Sequence, residues 1–284
     1  MAADNKQKDK VTPAGRLLDL IRGQRPDQDK LLFKTENERS AADASQADAK
    51  PNGNGDKGGS AGLCRIDINQ KLFSRMQHSL DMIWGNVLLA HGKPPRSVIL
   101  SGSAPGEGVS LLAQSLCLHL AMEYGSRVLY VNAVGKGKNS WPPDGSLVHG
   151  GLVDVLFEGG EIASAIMPSS VPGLSVLPYG GAQVKHAQAL LIQRPGGLEN
   201  FVAYTSDHFD CVICNGKSVL MAPWTVSIAK HMDMVILVCR YAHSRREVVS
   251  RVIETFASGG AKVDGVILND RRFPIPPAIY KRMK

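Results

Sequence analysis

The sequence lacks any apolar run that approaches the roughly 20 residues a membrane-spanning helix needs, and we expect no signal peptide. We therefore expect a cytoplasmic chain that does not itself cross a membrane. It has only five cysteines, and their spacing shows no disulfide framework. Cys211 and Cys214 form a CxxC, but a separation of three places them on opposite faces of the strand-like run "FDCVIC". Reduced core cysteines are therefore favoured over a redox or zinc pair.

The first 62 residues have few aromatic side chains and are rich in Asp, Lys, Gln, Asn and Ala, ending in "PNGNGDKGGSAG". A segment of this composition buries too little apolar surface to offset its ordering entropy, so we predict a disordered or flexible tail over 1–62. Within it, "AGRLLDLIRG" (14–23) groups four aliphatic residues closely enough for a short helix. That segment is either a transiently helical part of the tail or a peptide that docks on a partner.

The net charge of +7 is uneven, because the final stretch "DRRFPIPPAIYKRMK" is strongly basic. Such a tail either keeps the chain soluble or touches an anionic partner. Pro274, Pro276 and Pro277 break up any long amphipathic membrane helix there. We expect no nucleic-acid partner.

Strand-like and helix-like segments alternate regularly from residue 63 onwards. A helix is predicted over 71–92, where apolar residues recur at helical spacing before Gly92 and Pro94. Apolar runs without polar alternation are typical of strands that are covered on both faces. The pattern predicts one α/β domain over 63–284, with a single doubly wound, mainly parallel sheet flanked by helices, and the loop at 103–110 makes P-loop NTPase the expected type of this sheet. The predicted strands are 97–100, 127–132, 174–178, 209–214, 234–239 and 265–269, and the further predicted helices are 109–124, 150–157, 185–192, 197–206, 223–231 and 244–258.

The loop "SAPGEGVS" (103–110) lies between the first predicted strand and the next helix. A P-loop in this position directs backbone N–H groups at phosphate, a lysine reaches the β- and γ-phosphates, and a Ser or Thr hydroxyl binds Mg²⁺. The length, Gly106, Gly108 and the hydroxyl of Ser110 fit this pattern. Val109 stands where the lysine is required.

The metal carboxylates of such a site are missing as well. The second strand ends in Asn132 followed by Val134, and the fourth ends in Asn215. An asparagine carbonyl can ligate Mg²⁺ but adds no negative charge and cannot act as a base. The alternative is an active enzyme in which lysines at 136, 138 or 217, each after a strand end, replace the lost cation.

With these pieces in place, residues 72–270 resemble the cytoplasmic bacterial tyrosine kinases (BY-kinases), P-loop ATPase relatives of the MinD/ParA group that serve capsule and exopolysaccharide assembly. The resemblance rests on segments in a characteristic order, namely "PGEG.S" (105–110), "RVLYVN" (127–132), "GLVDVLFEGG" (151–160), "VPGLSVLPYGG" (171–181), "FDCVIC" (209–214), "HMDMVILVCRYAHSRREVVSRVIETF" (231–256) and "GAKVDGVILND" (260–270).

The resemblance also assigns roles to individual positions. It implies lysine at 109, aspartates at 132, 134 and 215 and arginine at 136, where this chain has Val, Asn, Val, Asn and Lys. The residues implied to contact nucleotide that do match are Gly106, Gly108, Ser110 and Asn269, the last of which meets adenine in this group.

The family's oligomerisation element and its phosphorylated tail are reduced here. Only Arg75 matches the Glu-x-x-Arg-x-x-Arg pattern of the first helix, and Tyr280 alone stands where relatives have a tyrosine cluster. A homo-oligomer is therefore left open, while the resemblance implies a separate membrane polysaccharide co-polymerase, or a related kinase, as partner.

These observations lead to one expected function and two alternatives. We expect a catalytically degenerate BY-kinase homologue that acts beside the membrane through its partner in polysaccharide export. We expect no obligatory cofactor, no metal and at most weak ATP or ADP binding. The alternatives are an active ATPase or tyrosine autokinase with relocated lysines, and a MinD/ParA-like positioning protein.

Overall fold

Strands and helices alternate along the described part of the chain, in which seven strands form one sheet in the order β3-β4-β2-β5-β1-β6-β7. The computed structural model describes residues 63–135, 137, 140–142, 150–181 and 196–271. All strand pairs are parallel except the short β3–β4 pair. The strands are β1 Ser97–Gly102, β2 Val128–Ala133, β3 Met167–Pro168, β4 Leu174–Leu177, β5 Cys211–Gly216, β6 Met234–Arg240 and β7 Gly265–Asn269. The predicted mainly parallel sheet is confirmed.

The longest helix, α1, begins where the side chain of Asn69 accepts a hydrogen bond from the N–H of Leu72, and it ends at Gly92 in the left-handed conformation. Asn is a favoured N-cap and Gly a favoured C-terminal residue, so both ends follow from the sequence. The helices are α1 Gln70–His91, α2 Val109–Glu123, α3 Ile162–Ala165, α4 Gly197–His208, α5 Trp224–Ala229 and α6 Arg246–Ser258.

Two apolar cores lie on opposite faces of the sheet. One packs α1 and α2 against the sheet, and the other packs α4, α5 and α6 against its opposite face. Cys211 belongs to the first core and Cys214 to the second, which confirms that the CxxC residues point to opposite faces. A continuous apolar strand is required here because both of its faces are covered.

The structure differs from the prediction between β2 and β4. The helix predicted over 150–157 is a short helical segment that continues as a π-helical turn, Asp154–Glu158. Helix α3 and strand β3 were not predicted, because elements of two to four residues leave no detectable periodicity in the sequence. The predicted helix 185–192, the segment 14–23, Lys136, Lys138 and the tail 272–284 lie outside the described residues. No helix within the described ranges is long and apolar enough to cross a bilayer.

Candidate functional site

The loop 103–110 joins β1 to α2 at the carboxyl end of the parallel strands, where ligands bind in sheets of this type. Gly106 and Gly108 have φ angles of 84° and 87°, a left-handed conformation that glycine adopts without strain. A Cβ added to Gly108 would lie 2.2 Å from Nδ2 of Asn269. Glycine is therefore required at 108 for two reasons. The four predicted nucleotide-contact residues, Gly106, Gly108, Ser110 and Asn269, all lie at this loop.

Val109 turns an apolar side chain towards the sheet at the position of the P-loop lysine. It is half-buried and packs against the core formed by α1, α2 and the sheet. Its Cγ2 atom lies 3.0 Å from the position that a Cβ on Gly102 would occupy, at the end of β1. The side chain therefore contributes to packing and provides no cation for phosphate.

The hydroxyl group that a P-loop offers to Mg²⁺ belongs to a neutral hydrogen-bond network. Nδ2 of Asn215 donates to Oγ of Ser110 at 3.0 Å and to the hydroxyl of Tyr130 at 2.8 Å. Tyr130 also bonds Gln114, and its ring is fully buried. Burial raises the pKa of Tyr130 far above its ordinary value, so the phenol stays protonated. The network contains no carboxylate.

Asn132 lies beside Asn215 in the paired register of β2 and β5. Its Oδ1 accepts hydrogen bonds from the N–H groups of Val134 and Gly135, and its Nδ2 donates to the carbonyls of Gly135 and Trp141. Every hydrogen-bonding atom of this side chain thus holds the loop that follows β2. Asn132 is a turn-forming residue here, and its carbonyl oxygen has two N–H partners in place of a metal ion.

Glu107 is the most deeply buried carboxylate of this site, and it was not predicted from the sequence. It is only 1% exposed, and its carboxylate accepts hydrogen bonds from the N–H groups of Ser103 and Ala104. The hydroxyls of Ser103 and Ser244 donate to the same carboxylate. The carboxylate therefore closes the first turn of the loop and joins it to the residues after β6. The sequence signal was only the glutamate between two glycines.

A second set of contacts holds the loop from the side of β6 and β7. Nδ2 of Asn269 donates to the carbonyl of Glu107 at 2.9 Å, and Nη1 of Arg240 donates to the carbonyl of Gly106 at 3.4 Å. Arg240 also forms an ion pair of 2.9 Å with Asp270. The amide nitrogen predicted to meet adenine is thus bonded to the loop backbone. The contact of Asn269 with nucleotide stays a prediction.

A cleft of about 950 Å³ opens above the loop. Its wall includes the loop residues 104–111, the start of α1, Trp141 and the residues after β5. Lys217 lines it, and this residue is the one relocated-lysine candidate that the described part of the chain contains. No group of three or more His, Cys, Asp or Glu residues able to hold a metal ion occurs among the described residues.

A magnesium nucleotide is therefore only partly matched by this site. The glycine conformations of the loop suit a phosphate-binding turn. At the positions where the resemblance implies a cation and metal carboxylates, the chain has Val109, Asn132 and Asn215, and the carboxylate of Glu107 is hydrogen-bonded within the loop itself. The residues present do not fit Mg²⁺.

A carboxylate introduced at position 215 tests whether this site tolerates a negative charge without a metal ion. We expect Asn215→Asp to lower the free energy of unfolding in EDTA by about 2 kcal/mol, because a charge would replace a buried amide without a cation beside it. Chemical denaturation with and without Mg²⁺ measures the effect, with Ser110→Ala as the control for loss of the hydroxyl contact. Unchanged stability in EDTA would show that the two hydroxyl groups suffice to solvate a carboxylate, contrary to this interpretation.

No protein-family model matches the chain. Among curated proteins, it is 26% identical over 172 residues to "Tyrosine-protein kinase wzc" of Salmonella typhimurium and 27% identical over 173 residues to "Tyrosine-protein kinase ptk" of Acinetobacter johnsonii. Each alignment covers 61% of this chain and only 23% of the relative. Among solved structures, the kinase domain of Escherichia coli tyrosine kinase ETK is 19% identical, with a TM-score of 0.60 over 70% of this chain and 78% of that chain. The structural likeness shows the fold alone.

Proposed function

We propose that this chain, which resembles bacterial tyrosine kinases over 61% of its length, is a catalytically degenerate member of that group of MinD/ParA-like P-loop proteins. It acts as a cytoplasmic partner or regulator in the synthesis and export of capsular polysaccharide or exopolysaccharide. The observation that carries the proposal is Val109, an apolar side chain packed against the core where phosphoryl transfer needs a lysine.

Phosphoryl transfer depends almost entirely on positioning and on electrostatic stabilisation of the phosphates. Three groups that provide this stabilisation are replaced together, by Val109, Asn132 and Asn215. The asparagines are each engaged in hydrogen bonds within the protein. A single replacement can be compensated from a neighbouring loop, whereas three coordinated ones remove both the cation and the metal ligands.

The fold is retained although the charges are not, which favours a role for the surfaces of the domain. The loop is ordered by contacts within the chain, through Glu107, Arg240 and Asn269, so the domain has no need of phosphate to form it. We propose a membrane polysaccharide co-polymerase or an active kinase homologue as partner. Association with the inner face of the membrane then takes place through that partner.

A thermal-shift titration beside a pull-down tests this function. We expect saturating Mg-ATP to raise the melting temperature by less than about 2 °C, because stabilisation requires ligand well above its dissociation constant. From detergent-solubilised membranes, the tagged chain should capture a polysaccharide co-polymerase or a tyrosine kinase. A large ATP-dependent shift without capture of either protein would favour a nucleotide switch and contradict the proposal.

A second candidate function is an active ATPase in which Lys217 replaces the lost lysine. The observation that favours it is the place of Lys217, which follows β5 and lines the same cleft as the loop. Mg-dependent ATP turnover of the Lys217→Ala variant distinguishes the two candidates. The substitution abolishes turnover in an active enzyme and leaves the background rate of a degenerate one unchanged.

A further inference from the structure

The cleft above the loop has an apolar rim that solvent reaches. Leu72 on α1, Leu111 on α2 and Met221 after β5 line it, and they are 38%, 43% and 55% exposed. These three side chains come from different parts of the chain and converge at one site. Large apolar side chains grouped around a concave surface mark an interaction site more often than isolated ones do.

The described chain begins beside β3, where the N–H of Cys64 donates a hydrogen bond to the carbonyl of Pro168, and it reaches this cleft at Arg65. Arg65, Asp67 and Asn69 line it, while Leu63, the first described residue, is 56% exposed. The N-terminal segment 1–62 therefore joins the domain two residues before the chain reaches the cleft.

The segment 14–23 contains aliphatic side chains that could pack against this apolar rim. Leu17, Leu18, Leu20 and Ile21 are grouped within five residues, and Asp19 is the one acidic residue among them. About 40 residues separate this segment from Leu63. A random-coil linker of that length would have a root-mean-square end-to-end distance of roughly 35 Å. It therefore holds the segment near the cleft at an effective concentration on the order of millimolar.

We propose that the segment 14–23 of the same chain docks into the cleft, with its leucine and isoleucine side chains against Leu72, Leu111 and Met221. Val109 makes the floor of the cleft apolar where a nucleotide-binding relative has a cation, and this change favours an aliphatic peptide over a polyphosphate. The inference goes beyond the proposed function and does not depend on it, because it concerns only what covers the cleft.

Cross-linking within the full-length chain tests this docking. The paired variant carries Leu20→Cys and Met221→Cys, and a short bismaleimide joins the two thiols. The native cysteines are all buried and free. Burial raises the pKa of Cys211, Cys214 and Cys239 to about 12 and that of Cys64 to about 11, so these thiols react slowly. The pKa of Cys117 is also raised by burial.

The matched control carries Leu20→Cys and Leu89→Cys. Leu89 is an exposed apolar residue on α1, 17 residues beyond Leu72 and thus roughly 25 Å along the helix from the cleft. We expect intramolecular cross-linking to Met221→Cys to be at least about fivefold faster than to Leu89→Cys, because docking raises the local concentration of one thiol. Adding Leu17→Asp and Ile21→Asp to the paired variant should remove the difference.

Two results would overturn the proposal. Equal rates for the two pairs would show that the segment does not select the cleft. Cross-linked dimers in place of intramolecular products at low protein concentration would assign the cleft to a second copy of the chain. Neither result bears on ATP binding or on capture of a membrane partner, so failure here is distinguishable from failure of the proposed function.

Discussion

Replacing Glu107 by alanine should lower the free energy of unfolding by about 3 kcal/mol, a large effect for a residue in a surface loop. The carboxylate accepts hydrogen bonds from two backbone N–H groups and two serine hydroxyls while it is almost fully buried. Removing it leaves the N–H groups of Ser103 and Ala104 without that acceptor in a site from which water is largely excluded. Unpaired buried donors are costly, and a bond to an ionised acceptor is worth more than a neutral one.

Glu107→Gln is the matched control, because glutamine keeps the shape and one carbonyl oxygen. Its amide nitrogen can face the serine hydroxyls, which accept as well as donate, so we expect a loss of only about 1 kcal/mol. Urea denaturation of the three proteins, without nucleotide, gives both differences. Equal stability of the alanine variant and the wild type would contradict the role of Glu107 in ordering the loop.

The second prediction concerns a lysine introduced at position 109. Val109→Lys alone should leave Mg-dependent ATP turnover at background, several orders of magnitude below an intact site. An ammonium at 109 provides one cation for phosphate, but Asn132 and Asn215 still provide no charge to hold Mg²⁺. Nucleotide binding is the step that the variant should improve.

Isothermal titration with ATP separates binding from chemistry in this variant. Val109→Leu is the control, because it keeps an apolar side chain against the same core. Autophosphorylation by the lysine variant would show that a metal site survives through residues other than the strand-end asparagines. It would contradict the interpretation that the site cannot hold Mg²⁺.

The strands were predictable because burial on both faces removes polar residues from the sequence itself. Each predicted strand from 97–100 to 265–269 is present within two residues of its expected ends. The turn at 103–110 was predictable from its two glycines. Both adopt positive φ angles, and Asn269 lies too close to Gly108 for a side chain there. Local burial and backbone conformation determine these features, and both restrict which residue types occur at neighbouring positions.

The contacts that hold the loop were not predictable from the sequence in the same way. Glu107 and Ser244 are 137 positions apart, and Asn215 and Tyr130 are 85 apart. No spacing rule connects residues on different strands or in different loops, so only the folded structure shows that these side chains meet. The tyrosine in particular lies in an apolar run, where its hydroxyl group gives no sign of a polar partner.

Mg-dependent ATP hydrolysis and autophosphorylation by the purified wild-type chain test the central claim most directly. Ser110→Ala and Lys217→Ala serve as controls, since they remove the remaining hydroxyl group and the candidate replacement cation. We predict turnover indistinguishable from background in all three proteins, because Val109, Asn132 and Asn215 leave phosphate and Mg²⁺ without charged partners. Turnover by the wild type that either substitution abolishes would contradict the claim and establish an active enzyme.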